Sequence, residues 1–250
     1  MSWLTRIGRR PRETMHHLPL ASREVLGESP IWPVAAVITA AGLYATLPSR
    51  FIAGSGSGAY GTLKWIVPGL TIALILPLAL TVPNSKLLQS AGRHAQRVRP
   101  SRRIASLAVI AVITIVNATS IILLVHLLVT GAHTQANLLL KAGIHMWITN
   151  VLVFALWFWQ LDGGGPLTRR LQPNYAPDFL FPQQMLAEAE LRWQPTFIDY
   201  LYVAFTNATA FSPTDAMPLT IWAKVLMMVQ SAASLLLAIM VVARAVNILH

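Results

Sequence analysis

The chain has 250 residues, 55% of them hydrophobic and 11% charged, against roughly 25% charge in an ordinary soluble domain. So few polar side chains cannot clothe a soluble surface of this size, and a mean hydropathy of +0.56 agrees. Nineteen Lys+Arg against nine Asp+Glu give a formal charge of +10. A nucleic-acid binder would need that charge on one face of a soluble domain, whereas a multi-pass membrane protein with basic loops accounts for both figures at once. The absence of cysteine excludes disulfides, thiolate nucleophiles and zinc–thiolate sites.

Residues 1–30 form a basic segment carrying Arg6, Arg9, Arg10, Arg12 and Arg23. Its following apolar stretch begins only near Ile31, too late for a signal peptide, so it reads as an uncleaved first span. The remaining residues, 31–250, read as one transmembrane domain. Five stretches are long enough to cross a bilayer core, which takes about 20 helical residues: 31–48, 63–83, 104–130, 138–160 and 218–248. Pro68 and Pro77 predict a kink in the second span. Trp32, Trp65, Trp147, Trp157, Trp159 and Trp222 lie mostly near span ends, where amphipathic rings settle. Residues 85–103 hold Lys86, Arg93, Arg97, Arg99, Arg102 and Arg103 with no acid. Basic loops stay in the cytoplasm, which places the N-terminus and 85–103 inside. With two spans between 103 and 161, the Pro-rich connection 161–195 falls inside as well, and the short loops 49–62 and 131–137 face out.

Gly54 to Gly61 superficially resembles a phosphate-binding glycine loop, but it joins two spans and lacks Gly-Lys-Ser/Thr, so it reads as a linker. Asn117-Ala-Thr119 and Asn207-Ala-Thr209 match the glycosylation pattern in apolar surroundings that hold no acceptor loop. Asp162 followed by three glycines and Pro166 reads as a helix stop and turn, with a lipid-headgroup contact through Asp162, Arg169 and Arg170 as the alternative. The third span carries Thr114, Asn117, Ser120 and His126. The fourth carries Lys141, His145 and Thr149 on one face. His126, Lys141 and His145 are therefore candidate intramembrane polar residues, since ionisable groups within a membrane face the bundle interior. Interhelical hydrogen bonding is the first reading of this set. A haem held by paired histidines, or another metal including His133, is the alternative, and Lys141 beside His145 opposes a cation there. No cofactor is expected.

Residues 196–210 form a short aromatic stretch that becomes rich in small and hydroxyl residues. Asp215 and Pro218 then open the last span, as the dipole and a first helical turn allow. A short helix and non-helical backbone before a full span has the shape of a re-entrant loop, which survives at membrane depth only under protein or water. The segment from 196 to 247 resembles the pore module of the potassium-channel superfamily. Thr209 to Asp215 takes the place of the filter; Asp215 and Pro218 match the family's Asp and Pro, Thr220 the frequent Thr after it, and Arg244 and Asn247 the end of the inner helix. The layout also resembles a group of uncharacterised bacterial multi-pass membrane proteins with a degenerate pore loop. Two features depart from the family. Ser212 and Thr214 stand where it has glycines and Pro213 is fixed near φ −65°, so potassium selectivity is not carried over. The family's linker before the pore helix is extracellular, whereas the basic-loop rule puts 161–195 inside.

The expected fold is all-α and integral to the membrane, with five spans plus a re-entrant helix-loop over 196–215. The resemblance implies a channel-like protein of the bacterial cytoplasmic membrane, a homo-oligomer of four copies in the lipid bilayer with no nucleic-acid partner. It implies a path lined by Thr206, Thr209, Ser212, Pro213, Thr214 and Asp215, with a ring of Asp215 favouring cations. A non-conducting scaffold or accessory subunit is the alternative. A lipid-acting enzyme is a third reading, opposed by sparse acids in no recognisable cluster; no catalytic residue is assigned.

Overall fold

The computed structural model describes residues 31–46, 92–130, 136–171, 175–185, 193–209 and 216–248. Helix α1 is Ile31–Thr46, α2 is Gly92–Val129, α3 is Ala136–Leu161, α4 is the short Pro166–Leu171, α5 is Phe197–Thr209 and α6 is Ile221–Ile248. Strands β1, Phe179–Leu180, and β2, Met217–Pro218, pair antiparallel, with Phe179 opposite Pro218 and Leu180 opposite Met217. Among the described residues, three helical segments are long and apolar enough to cross a membrane: Arg103–Val129, Leu138–Gly164 and Ile221–Ala243; Ile31–Thr46 is a shorter apolar helix. The expected span 63–83 lies outside the described residues. Helix α2 begins at Gly92, eleven residues before its apolar part, so much of the basic segment expected as a loop is helical. Hydropathy marks where a helix enters apolar surroundings; the helix itself continues through Arg, Gln and Ala, which are good helix formers.

Contacts fix the direction of each helix. Trp157 on α3 donates from Nε1 to Thr114 on α2 at 2.8 Å, and Asn117 reaches Asn150 at 3.5 Å, so α2 and α3 are antiparallel. Early α1 residues Ala36 and Val37 share a core with Val109, Ile110 and Ile113 of α2. Tyr44, late in α1, joins Ile121 and Leu124 and hydrogen-bonds Ser120. Helix α1 therefore runs parallel to α2. Helix α5 runs against α3, since Phe197 meets Trp159 and Phe205 meets Trp147, edge to face, at centroid distances of 6.1 and 5.8 Å. Helix α6 also runs against α3, because Ser234 meets Asn150 and Val241 backs Gly143.

One end of the bundle thus gathers the start of α1, Arg103 beside Gly165, the end of α3 and the starts of α5 and α6. Aromatic side chains pack this end. Phe179 lies 5.1 Å from Phe158 and 6.3 Å from Tyr200, and Phe181 lies 5.4 Å from Tyr200. Such pairs contribute about 0.5–1.5 kcal/mol each beyond burial.

The outer surface is apolar. Ile104, Ile115, Ile122 and Val129 form a stripe along α2, and Ile221, Trp222, Val225, Met228, Leu235, Ile239 and Val242 stand exposed on α6. Inside, Asn150, Gln230 and Ser234 are buried. Apolar patches of this extent mark contact with something other than water. In lipid, helices associate through close packing and interhelical hydrogen bonds, with small residues at the crossings. Gly143 is such a residue: a Cβ there would collide with Val241. Gly143→Ala is expected to destabilise by about 1 kcal/mol or more through overpacking. Gly42→Ala, where a Cβ would meet nothing within 4 Å, is expected to be neutral or stabilising by up to about 1 kcal/mol through helix propensity. Thermal unfolding of both variants in detergent checks the contrast.

Candidate functional site: a short helix anchored at its start and closed at its end

The start of α5 is tied to the end of α3. Gly163, Gly164 and Gly165 adopt φ of 54°, 82° and 98°, a left-handed run that only glycine adopts freely. It ends α3 and turns the chain into α4. Asp162, fully buried, accepts from the backbone N–H of Asp178 at 2.6 Å and of Phe179 at 3.2 Å, and from the Tyr200 hydroxyl. In return the Gly163 N–H donates to Asp178 at 3.0 Å. Arg169, also buried, donates from Nη1 to the carbonyls of Trp159 and Asp162 at 2.8 and 2.6 Å. The same Nη1 stands 4.0 Å from the Asp162 carboxylate, and the guanidinium lies 5.0 Å from the Tyr200 ring centroid. Tyr175 packs on Gly163 and accepts from Gln184 at 3.3 Å; burial first, and the charge of Asp162 second, raise its phenol above the usual value. The expected helix stop is therefore the centre of a buried cluster. Asp162 and Arg169 face each other rather than a lipid headgroup.

Helix α5 is capped from within by Asp199. The Asp199 carboxylate accepts from the backbone N–H and hydroxyl of Thr196 at 2.7 and 2.8 Å, and the acid also suits the positive end of the helix dipole. Along α5, Phe197, Tyr200, Val203, Ala204 and Ala208 face inward, while Ile198, Tyr202 and Phe205 stand exposed.

The end of α5 explains the hydroxyl-rich sequence. Thr206 donates to the carbonyls of Tyr202 and Val203 at 2.9 and 3.1 Å, and Thr209 to those of Phe205 and Thr206 at 3.1 and 3.0 Å. Ser231 of α6 donates to the Asn207 carbonyl at 3.1 Å, and Gln230 Nε2 to the Ala204 carbonyl at 2.7 Å. The Asn207 side chain donates to the Met227 carbonyl and to Gln230 Oε1 at 2.9 and 2.8 Å. Asn150 of α3 continues the network, donating to Ser234 at 2.9 Å. Asn117 Oδ1 is buried with no partner among the described residues.

Of the residues expected to line a path, Thr206 and Thr209 lie on α5 with their protons engaged by its own carbonyls, so that their oxygens can only accept further bonds. Ser212, Pro213, Thr214 and Asp215 lie outside the described residues. Thr220 precedes α6 and accepts from the Ala223 N–H at 3.4 Å. Of the other polar residues, His126 and Lys141 are exposed, and His145 is half-buried, with Nδ1 3.3 Å from the Thr46 hydroxyl on α1. His133 lies outside the described residues. Among the described residues no three His, Asp or Glu gather as metal ligands. Thr114 and Ser120 make interhelical bonds, to Trp157 and Tyr44. The residues not singled out from sequence are Asn150, Gln230, Ser231 and Ser234; an amide or hydroxyl in an otherwise apolar span was the available signal. No family model, curated protein or solved structure matches the chain.

Proposed function

We propose that the chain is an integral membrane protein in which α5, residues 210–215 and the start of α6 form a re-entrant hairpin. Copies of the chain assemble around it into a channel-like path. One observation carries the reading: α5 starts beside Asp162, stops after 13 residues, and ends with its carbonyls bonded to hydroxyls and an amide. Thirteen helical residues span about 20 Å, less than the hydrocarbon core of roughly 30 Å. A helix ending inside that core leaves carbonyls that cost several kcal/mol each, on the order of the desolvation penalty, if unpaired. Thr209 and Ser231 supply partners for two of the last-turn carbonyls, those of Thr206 and Asn207. The strand pairing of Met217 and Pro218 with Leu180 and Phe179 then returns the chain to the end where α5 began. Parity supports the five-span expectation too. Helices α1 and α2 are parallel, the arrangement that one span between them, as expected of 63–83, produces.

In this reading Ser212, Pro213, Thr214 and Asp215 line the path with the lone pairs of Thr206 and Thr209, and four copies assemble as in the family the segment resembles. A ring of Asp215 carboxylates draws cations to it. The protein reconstituted in liposomes is expected to pass monovalent cations, with a clear loss in Asp215→Asn. Equal flux in both, or none in either, removes the role of Asp215.

A second reading has its own observation. The Asn207–Gln230–Ser231 network is complete within one chain, as in an element that only packs. A non-conducting scaffold or accessory subunit then gives no flux and a partner protein that co-purifies in fixed ratio.

A further inference from the structure

We infer that the hairpin opens to the cytoplasmic face of the membrane, so that whatever enters it comes from the cytosol. The inference rests on the re-entrant reading above and gives it a direction. Three independent contacts bring the basic segments and the hairpin mouth to one end of the bundle. Arg103, the last residue of the acid-free basic segment, lies beside Gly165. Asp162, at the end of α3, holds Tyr200 in the second turn of α5. Phe179, bonded to the same carboxylate, pairs in the strand register with Pro218 just before α6. The start of α1, which follows the basic N-terminal segment, is at this end as well, because α1 and α2 are parallel.

Charge then selects the side. Five arginines precede Ile31, six basic residues lie in 85–103 and three in 161–195, all joined to this end. The opposite end has four: Arg50 and Lys64 about the turn after α1, Lys141 near the start of α3 and Arg244 near the end of α6, against fourteen here. Lys and Arg in short loops beside spans are retained in the cytoplasm. The hairpin is therefore inverted relative to the module it resembles: the negative end of the α5 dipole points toward the outer half of the bilayer, and α6 runs from the cytosolic end outward.

The absence of cysteine makes the test direct. Gln183→Cys in the connection, Leu219→Cys at the mouth and Thr130→Cys after α2 place one thiol each at an exposed position. Each is treated with a membrane-impermeant maleimide in intact spheroplasts and in inside-out vesicles. Gln183→Cys and Leu219→Cys are expected to label only in the inverted vesicles, and Thr130→Cys only in spheroplasts. Labelling of both mouth positions from outside overturns the direction while leaving the hairpin standing. Labelling of Gln183→Cys and Leu219→Cys from opposite sides overturns the hairpin itself. Fusions to the C-terminus cover the case of a thiol shielded in both preparations: alkaline phosphatase there is expected to be active and green fluorescent protein dark, and the reverse overturns the inference.

Discussion

Asp162→Ala is expected to be the most damaging single substitution in the described part of the chain, lowering stability by about 3–5 kcal/mol. The carboxylate takes three hydrogen bonds, two from backbone N–H groups 16 and 17 residues on and one from Tyr200, 38 residues on. Its removal orphans those donors and leaves the Arg169 guanidinium buried without a counter-charge. Losing one partner of a buried pair costs far more than losing both, because the remaining ion stays desolvated. Arg169→Met alone is therefore damaging as well, and the double variant is expected to cost less than the two single losses added together, a coupling that a thermodynamic cycle reads directly. Thermal unfolding in detergent, followed by tryptophan fluorescence, measures all three. Additive losses would show that Asp162 and Arg169 act separately.

Gln230→Leu is expected to cost about 1–3 kcal/mol, from two interhelical hydrogen bonds worth roughly 0.6 and at most about 1.7 kcal/mol each. The variant keeps the volume close and deletes the bonds to Ala204 and Asn207 at 2.7 and 2.8 Å. Both partners lie on α5, so the loss falls on the seating of that helix against α6. Asn150→Leu removes a bond of the same network that does not touch α5. Gln230→Leu is therefore expected to speed proteolysis between 197 and 216 more than Asn150→Leu at equal loss of melting temperature. Equal cleavage in both variants would place Gln230 in general packing and not in the seating of α5.

Hydropathy alone marked the three long apolar helices and the short α1, because about 20 apolar residues in a row have few other uses. It placed the start of α2 late, since Arg, Gln and Ala extend a helix without making it apolar. Of the polar residues of the third and fourth spans, Thr114 and Ser120 meet neighbouring helices, and so does His145 through Thr46, whereas His126 and Lys141, expected to face the interior, stand exposed in the single chain. Asp162 was readable as a helix stop or, with Arg169 and Arg170, a headgroup contact, not as the centre of a buried cluster. Its partners Asp178, Phe179 and Tyr200 come together through a turn, a two-residue strand pairing and a helix start, none of which leaves a periodic trace. Thr206 and Thr209 stood out by composition, but helix geometry decides where their protons go, and the nearest acceptors are carbonyls one turn back. Asn207, conspicuous only as part of a chance glycosylation pattern, and Asn117, also one of the polar residues of the third span, belong to the interhelical network.

The depth of α5 in the bilayer tests the hairpin most directly. Ile198→Cys, Phe205→Cys and Leu219→Cys, each exposed in the single chain, carry a nitroxide label in reconstituted bilayers. Collision rates with dissolved oxygen and with a water-soluble nickel chelate report their depth. A re-entrant α5 predicts a shallow label at 198, a deep one at 205 and a shallow one again at 219. Shallow labels at all three positions, or depth that keeps increasing from 198 through 219, would contradict it.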